Sequence, residues 1–266
     1  MDLQAIAATG WGYTERTYIG AWELRAANGH TSRANSALPI GDSGMPLDKT
    51  LDAVAEWYAE RGLPPRVQTV DGSPLDRAIA ELGHSETERA ALRQSAPLGP
   101  ALETLKRSTD PDHVARITTE LPEDYFTAYR RGYGIPEFRA ILTSGDARIA
   151  FAVVRADNGE ALSVGRVAID TGTGYAGIAA LATAEHARRR GLARIVLRDL
   201  LAFAAEHGAA NTYLEVEEEN TPARTLYTSL GYATAHRYHS RITRVARPVK
   251  MVHADRDPSE SVTRPT

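Results

Sequence analysis

Residues 147–208 constrain this chain most. Three short apolar runs, "ARIAFAVVRA", "EALSVGRVAI" and "YAGIAALAT", are separated by the turn sequences "DNG" and "DTGTG". Asn-Gly between such runs is a strong hairpin signal, so the pattern predicts an antiparallel meander. The third run is apolar on both faces and predicts a central strand. A helix follows from about Leu192 to His207. Leu192, Ile195, Val196, Leu200 and Phe203 form its apolar stripe, with Arg194, Arg198 and Asp199 away from it. Gly208 suits the left-handed position past a helix end. "NTYLEVEEEN" then alternates, Leu214 and Val216 facing one side and Glu215 and Glu217 the other. A strand–helix–strand unit of this length makes its strands parallel, with a right-handed crossover. The meander must therefore continue into a parallel pair, which is a mixed sheet flanked by helices.

"TPARTLYTSLG" predicts a short helix capped by Thr221, with Pro222 at its first position and Gly231 at its end. "YATAHRYHSRI" predicts a last strand, and "LPEDYFTAYRRG" and "IPEFRAILTSG" two short helices upstream. The first hundred residues echo this order. They predict a hairpin turning at Asn28-Gly29, a helix ending at Gly62, the strand "PRVQTV" and the helix "PLDRAIAELGH". Pro74, Leu82 and Gly83 stand at one constant offset from Pro222, Leu230 and Gly231, which marks an internal repeat. The expected organisation is a first domain at 1–98, a linker at 99–112 that includes part of a joining strand, a second domain at 113–252 and a disordered tail at 253–266.

A net charge of −3 argues against a general nucleic-acid or membrane-surface binder. The absence of cysteine excludes disulfides, thiolate catalysis and cysteine-based zinc sites, and the eight histidines show no metal-binding spacing. No apolar run approaches the ~18 residues that span a bilayer, and "MDLQAIAATGW" lacks the basic start of a secretory signal. These features predict a cytoplasmic protein with no metal, no nucleic-acid partner and no membrane partner.

The chain has three lysines in all, yet it sets Arg188, Arg189 and Arg190 in a row, directly before Gly191 and an apolar helix. A helix N-terminus carries unpaired N–H groups and partial positive charge. Glycine permits close approach of an anion to that backbone, and the arginines add charge-assisted donors. The arrangement suits a pyrophosphate. It is neither a Walker loop nor a dinucleotide-binding fingerprint, since both glycine patterns are absent.

"RRRGLA" resembles the [Q/R]-x-x-G-x-[G/A] signature of the GNAT superfamily of acyl-CoA N-acyltransferases, and "NTPARTLYTSLGY" resembles the family's N-x-x-A-x-x-L-Y-x-x-x-G-[FY] stretch. The resemblance covers roughly residues 118–247. The whole chain resembles tandem GNAT proteins of actinobacteria, with a degenerate first half before an intact second one. The implied fold is α/β in the mixed α+β sense: two GNAT-like halves, each a twisted, mixed, mainly antiparallel sheet flanked by helices. The implied activity is acetyl-CoA-dependent transfer of an acetyl group to a primary amine of a small molecule or a protein, by direct attack in a ternary complex. A non-catalytic coenzyme A-binding regulatory or scaffolding module is the alternative.

Carried onto this sequence, the resemblance implies that backbone groups of Leu181, Ala182 and Thr183 pair with the pantetheine arm. Arg188 and the amides of Arg189, Arg190, Gly191, Leu192 and Ala193 would bind the pyrophosphate, and Asn220 and Ala223 would touch the arm from the other side. Tyr227 would protonate the leaving thiolate; its other reading is a core aromatic. The strand where many members carry a glutamate base has no carboxylate. Glu215, Glu217, His236, His239 or a water chain stay open as the base, with each glutamate otherwise a surface charge. Tyr125, Phe126, Tyr129 and Tyr238 are candidates to line the acceptor pocket, or packing aromatics. The acceptor is expected to be an amine, a small molecule in preference to a protein, and the protein a monomer or homodimer. In the first half "GDSG" stands where the second has its arginines, Ile79 where it has Tyr227, and Gly72 where it has Asn220. One acetyl-CoA per chain is therefore expected, with the first half helping to shape the acceptor pocket.

Overall fold

The computed structural model describes residues 3–83, 87, 90–129 and 135–243; the expected tail at 253–266 lies outside them. The first half runs α1 (Leu3–Gly10), β1 (Glu15–Ile19), β2 (Trp22–Ala26), β3 (Ala37–Pro39), α2 (Leu47–Ala59), β4 (Arg66–Val70), α3 (Pro74–Glu81) and β5 (Ala91–Pro97). The second half follows as α4 (Leu98–Ser108), β6 (Arg116–Thr118), α5 (Tyr125–Ala128), α6 (Ile135–Thr143), β7 (Arg148–Arg155), β8 (Ala161–Asp170) and β9 (Tyr175–Thr183). A short 3-10 turn (Glu185–Ala187) leads to α7 (Leu192–Glu206), β10 (Asn211–Glu217), α8 (Thr221–Thr228) and β11 (Ala233–Ile242).

The fold is mixed α/β, and the strand pairing repeats between the halves. In each, three antiparallel strands (β1-β2-β3 and β7-β8-β9) lead through a helix into a parallel neighbour, β4 or β10. The first half makes its meander with an extra turn. Ile19 pairs Trp22 around Gly20, and the Asn28-Gly29 turn belongs to the wider connection from β2 to β3. The last strand of each half then crosses over. β11 lies between β4 and β5, and β5 lies between β11 and β10, so the order is β1-β2-β3-β4-β11-β5-β10-β9-β8-β7-β6. The two halves thus share one continuous eleven-stranded sheet.

The residues expected to link the halves do more than span a gap. Leu98, Ala101, Leu102 and Leu105 form the buried stripe of α4, and they share one core cluster with Leu197 and Leu201 of α7. This contact also buries Arg198, which the helix periodicity puts outside. It pairs with Asp199 and donates to the carbonyls of Asp110 and His113. The adjoining face of α7 lies on β8. A Cβ at Gly165 would come 2.7 Å from Val196 Cγ1 and 3.0 Å from Leu200 Cδ1, so this glycine sets how closely helix and sheet approach.

Asp76 fastens the seam between β4 and β11. It accepts from Arg241 Nε at 2.6 Å and Thr69 Oγ1 at 2.9 Å, and lies 2.7 Å from His239 Nε2. Burial pushes its carboxyl up, but the bonds from Arg241, Thr69, His239 and Gly72 outweigh that and hold it below the usual range. A pKa depressed on folding gives stability that is full above the ordinary carboxylate range and lost as the pH falls. Asp76→Ala is expected to cost about 3–5 kcal/mol in urea unfolding at neutral pH, and the cost to shrink progressively below about pH 4. The crossed strands carry a second expectation. Residues 1–97 and 98–266 made as separate chains lack cooperative thermal transitions, and co-expression restores one. A cooperative transition in the isolated first half contradicts this.

Candidate functional site

The parallel ladder between β9 and β10 runs from Tyr175 opposite Asn211 to Ile178 opposite Leu214, and there it ends. β10 continues on β5, with Glu215 opposite Arg93 and Glu217 opposite Ala91. β9 continues on β8, with Ala182 opposite Val164 and Thr183 opposite Ser163. The strands part at a bulge in β9, where the register to β8 shifts and Ala180 takes the left-handed conformation at φ 49°. Tyr125 Oη donates to the Ala180 carbonyl at 2.9 Å. That tyrosine is fully buried, and burial keeps its phenol protonated well above its ordinary range, so it acts here as a fixed donor. Past the bulge, residues 179–183 are half-buried and, among the described residues, have no strand partner on the β10 side.

The chain then turns into α7 through a loop built for close approach. Arg189 has φ 65° and Gly191, the helix cap, φ 77°. The left-handed region costs a residue with a Cβ roughly 1–2 kcal/mol, yet Arg189 adopts it. Two left-handed residues within three positions curl the loop sharply ahead of the helix. Among the described residues, no protein acceptor takes the N–H of Arg189, Arg190, Gly191, Leu192 or Ala193; the helix ladder begins with Arg194 N–H on Gly191 O at 2.9 Å. The side chains of Arg188, Arg189 and Arg190 are exposed around them. Open amides, a helix N-terminus and guanidinium groups fit a pyrophosphate.

Parallel strands bring their following loops to the same end of the sheet. The loop after β10 therefore sets α8 beside the start of α7, where Arg194 Nη2 donates to Ser229 Oγ at 2.7 Å. Asn220 caps α8, its Oδ1 accepting the Ala223 N–H at 3.3 Å. Thr221, expected as the cap, is the first helical residue, and Pro222 is the second. Leu181, Ala223 and Tyr227 pack in one apolar cluster. Tyr227 is 8% exposed, with its ring centroid 5.8 Å from that of Tyr232. The residues singled out from the sequence thus gather at this end of the sheet: Leu181, Ala182 and Thr183 on the free strand, Arg188 to Ala193 on the loop, and Asn220, Ala223 and Tyr227 on α8.

The base candidates fall differently. Alternation makes Glu215 a surface charge, but its side chain is 7% exposed, because the first half covers that face of β10. Arg33 and Arg93 both pair with it. Burial pushes its carboxyl up, yet Arg33, Arg93 and a bond from Tyr238 prevail and hold it at about 2. His236 Nε2 lies 3.2 Å from Arg93 Nη1 in the same cluster. His239 belongs to the Asp76 network; Asp71, Asp76 and His239 lie close enough to hold a cation, but Arg241 and Thr69 already occupy Asp76. Glu217 is exposed at the end of β10. Of the aromatic candidates, Tyr125 and Tyr129 are buried in packing, the latter stacked on Phe138 at 5.4 Å. Phe126 packs edge-on to Tyr125 at 5.9 Å, and Tyr238 is buried under Arg93.

The equivalent loop of the first half offers less. Asp42 Oδ1 accepts the Gly44 N–H at 2.9 Å, so a carboxylate already takes an amide ahead of α2. Ile79 is wholly buried, and Gly72 is a left-handed turn residue.

Residues 2–241 match the family model described as "Probable histone acetyltransferase Rv0428c C-terminal". The chain is 26% identical over 239 residues to the Mycobacterium tuberculosis protein named "Probable histone acetyltransferase Rv0428c", covering 88% of this chain and 70% of that one. It is 28% identical over 257 residues to the Bacillus subtilis "Uncharacterized N-acetyltransferase YobR", covering 91% of this chain and 98% of that one. Among solved structures, a GCN5-related N-acetyltransferase from Kribbella flavida superposes with a TM-score of 0.64 at 17% identity, over 87% of this chain and 90% of its own. A tandem GNAT protein from the clavulanic acid biosynthesis pathway does so at 0.57 and 14%, over 79% and 76%. Both share the fold. Among the described residues no helix is long and apolar enough to cross a membrane.

Gly191→Val forces a β-branched residue into the left-handed region, and Arg188→Ala removes a charged donor. Each is expected to weaken acetyl-CoA binding roughly ten- to a hundredfold by calorimetry, with wild-type stoichiometry at one per chain. Unchanged affinity in both variants rules out the loop as the anion site.

Proposed function

The chain belongs to the family of the "Probable histone acetyltransferase Rv0428c C-terminal" region and is a GNAT-type N-acetyltransferase, and from that premise we propose that it transfers acetyl groups from acetyl-CoA to the primary amine of a small molecule, in a ternary complex formed at the parting of β9 and β10. One observation carries this reading. The ladder ends at Ile178 and Leu214, at the end of the sheet where, among the described residues, the amides of Arg189, Arg190, Gly191, Leu192 and Ala193 lack protein acceptors. A free strand edge beside an anion loop fits a long ligand with amides along its arm and a pyrophosphate at one end.

When bound, acetyl-CoA supplies an acetyl group activated as a thioester. The free edge of residues 179–183 offers backbone donors and acceptors to the arm, as in strand addition. The loop amides and Arg188 bind the pyrophosphate, and Asn220 and Ala223 form the facing wall. The amine's lone pair forms the new C–N bond while the C–S bond breaks. Tyr227 donates its phenolic proton to the departing sulfur and regains one through water from the attacking nitrogen. A phenol near pKa ~10 is a weak acid toward a thiolate near ~8.5, so proximity and low dielectric must assist. Glu215, at about 2, is too weak to deprotonate an alkylammonium near ~10. With Glu215 set aside, we take the reactive amine to be the neutral form drawn from solution, in place of one deprotonated by Glu217, His236 or a water chain.

Tyr227→Phe removes one hydroxyl and little volume. Turnover is expected to fall about 10²–10⁴-fold with acetyl-CoA affinity nearly constant; wild-type turnover makes Tyr227 a packing residue. The missing base gives a pH signature. kcat/KM is expected to rise about tenfold per pH unit up to the acceptor's own pKa, and a plateau starting well below it reveals a base in the protein.

A further inference from the structure

The face of the sheet beneath α1 carries charges that do not cancel. Arg33, in the connection from β2 to β3, reaches out of the first half and pairs through Nη1 with Glu215 on β10. Its guanidinium lies 4.7 Å from the Trp11 ring centroid. Arg93 takes the same carboxylate through both Nε, at 3.0 Å, and Nη2. Arg166, buried on β8 opposite Ala179, donates to the carbonyls of Leu142 at 2.8 Å and Gly10 at 2.7 Å, and pairs with no carboxylate among the described residues. Its pKa is drawn down to about 10 by burial, with the charge of Arg33 adding to the same effect. Arg25, also beside Trp11, is matched by Glu23. Among the described residues, Arg33, Arg93 and Arg166 therefore stand against the one carboxylate of Glu215.

Arg33 differs from the other two. Arg93 gives both its bonds to Oε1 of Glu215, and Arg33 holds Oε2 through Nη1 alone. The Arg33 side chain is 32% exposed, against 2% for Arg93. Among the described residues, its Nε and Nη2 have no protein acceptor. These two nitrogens form one edge of the guanidinium fork, the geometry that takes a carboxylate at two points. Glu215, to which Arg33 is tied, is the first residue of β10 beyond the last pair with β9. The open edge is thus held at the parting of the strands, on the face opposite the apolar cluster of α7 and Tyr227.

We infer that Arg33 anchors a carboxylate of the acceptor, so that the acceptor class is amines that also carry a carboxylate, such as amino acids. The inference rests on the proposed acetyl transfer at this parting. A polyamine or a lysine-rich tail brings further positive charge to a region already in excess, whereas a carboxylate offsets it. The anchor also gives the first half, without a cofactor loop of its own, a part in selecting the acceptor.

The test compares matched amines with and without the carboxylate: glycine with methylamine, 4-aminobutyrate with propylamine, and 6-aminohexanoate with pentylamine, beside a lysine-rich peptide. The length series reads the span from anchor to reacting nitrogen. The wild-type protein is expected to favour the carboxylate member of at least one pair by ten- to a hundredfold in kcat/KM expressed per neutral amine. Arg33→Gln is expected to bring that ratio to about one, and Arg33→Lys to keep part of it. The ratio is internal to each variant, so loss of folded protein does not move it. A wild-type ratio near one in every pair, preference for the peptide, or a ratio unchanged in Arg33→Gln overturns the inference. Calorimetry with N-acetyl-4-aminobutyrate and its methylamide, in the presence of coenzyme A, needs no turnover. Carboxylate binding that depends on Arg33 without any acetyl transfer upholds the anchor and refutes the enzymatic reading; transfer with no carboxylate preference does the reverse.

Discussion

The parting of β9 from β10 is the feature on which the rest of the site depends. Parallel neighbours ordinarily pair along their common length, and here that would cover the edge of residues 179–183. The left-handed turn at Ala180 prevents it. Alanine has no preference for that conformation, so the surroundings impose it. Tyr125 holds the Ala180 carbonyl from below, and Phe126, Tyr129 and Phe151 surround its ring. The aromatics behind the bulge are therefore part of the site without lining it.

The crossed last strands explain why a half with a degenerate loop is retained. β4 supplies the partner on which β11 ends, and β5 supplies the strand against which β10 continues once it leaves β9. β5 also contributes Arg93, which lies directly opposite Glu215 and beside His236 in the neighbouring strand. One cross-strand row thus joins both halves next to the parting. The structural role of the first half rests on β4, β5 and Arg93, not on its Asp42–Gly44 loop.

Much of the second half was legible because its punctuation is local. Gly159, Gly174 and Gly208 all take the left-handed conformation their turn positions demand, and the apolar stripe of α7 fixes its length. What escaped was set at long range. Nothing in "ALRQSAP" tells whether β5 pairs in its own half or the other. Glu215 follows the alternation of a half-exposed strand, and only the cover supplied by the first half makes it buried. The helix α4 is a different case. Leu98, Ala101, Leu102 and Leu105 follow helical spacing, and Pro100 lies in the first turn, where proline is tolerated, so the signal was present beneath residues that resemble a linker.

A free strand edge and a curled loop at one end of the sheet together form the proposed acetyl-CoA site. Amide hydrogen exchange with and without acetyl-CoA tests it most directly, because it reads the backbone groups themselves. Exchange is expected to slow in residues 179–183 and 189–193 on binding, with no change in residues 37–44 of the first half. Binding that leaves 179–183 and 189–193 unprotected, or that protects 37–44 instead, contradicts it.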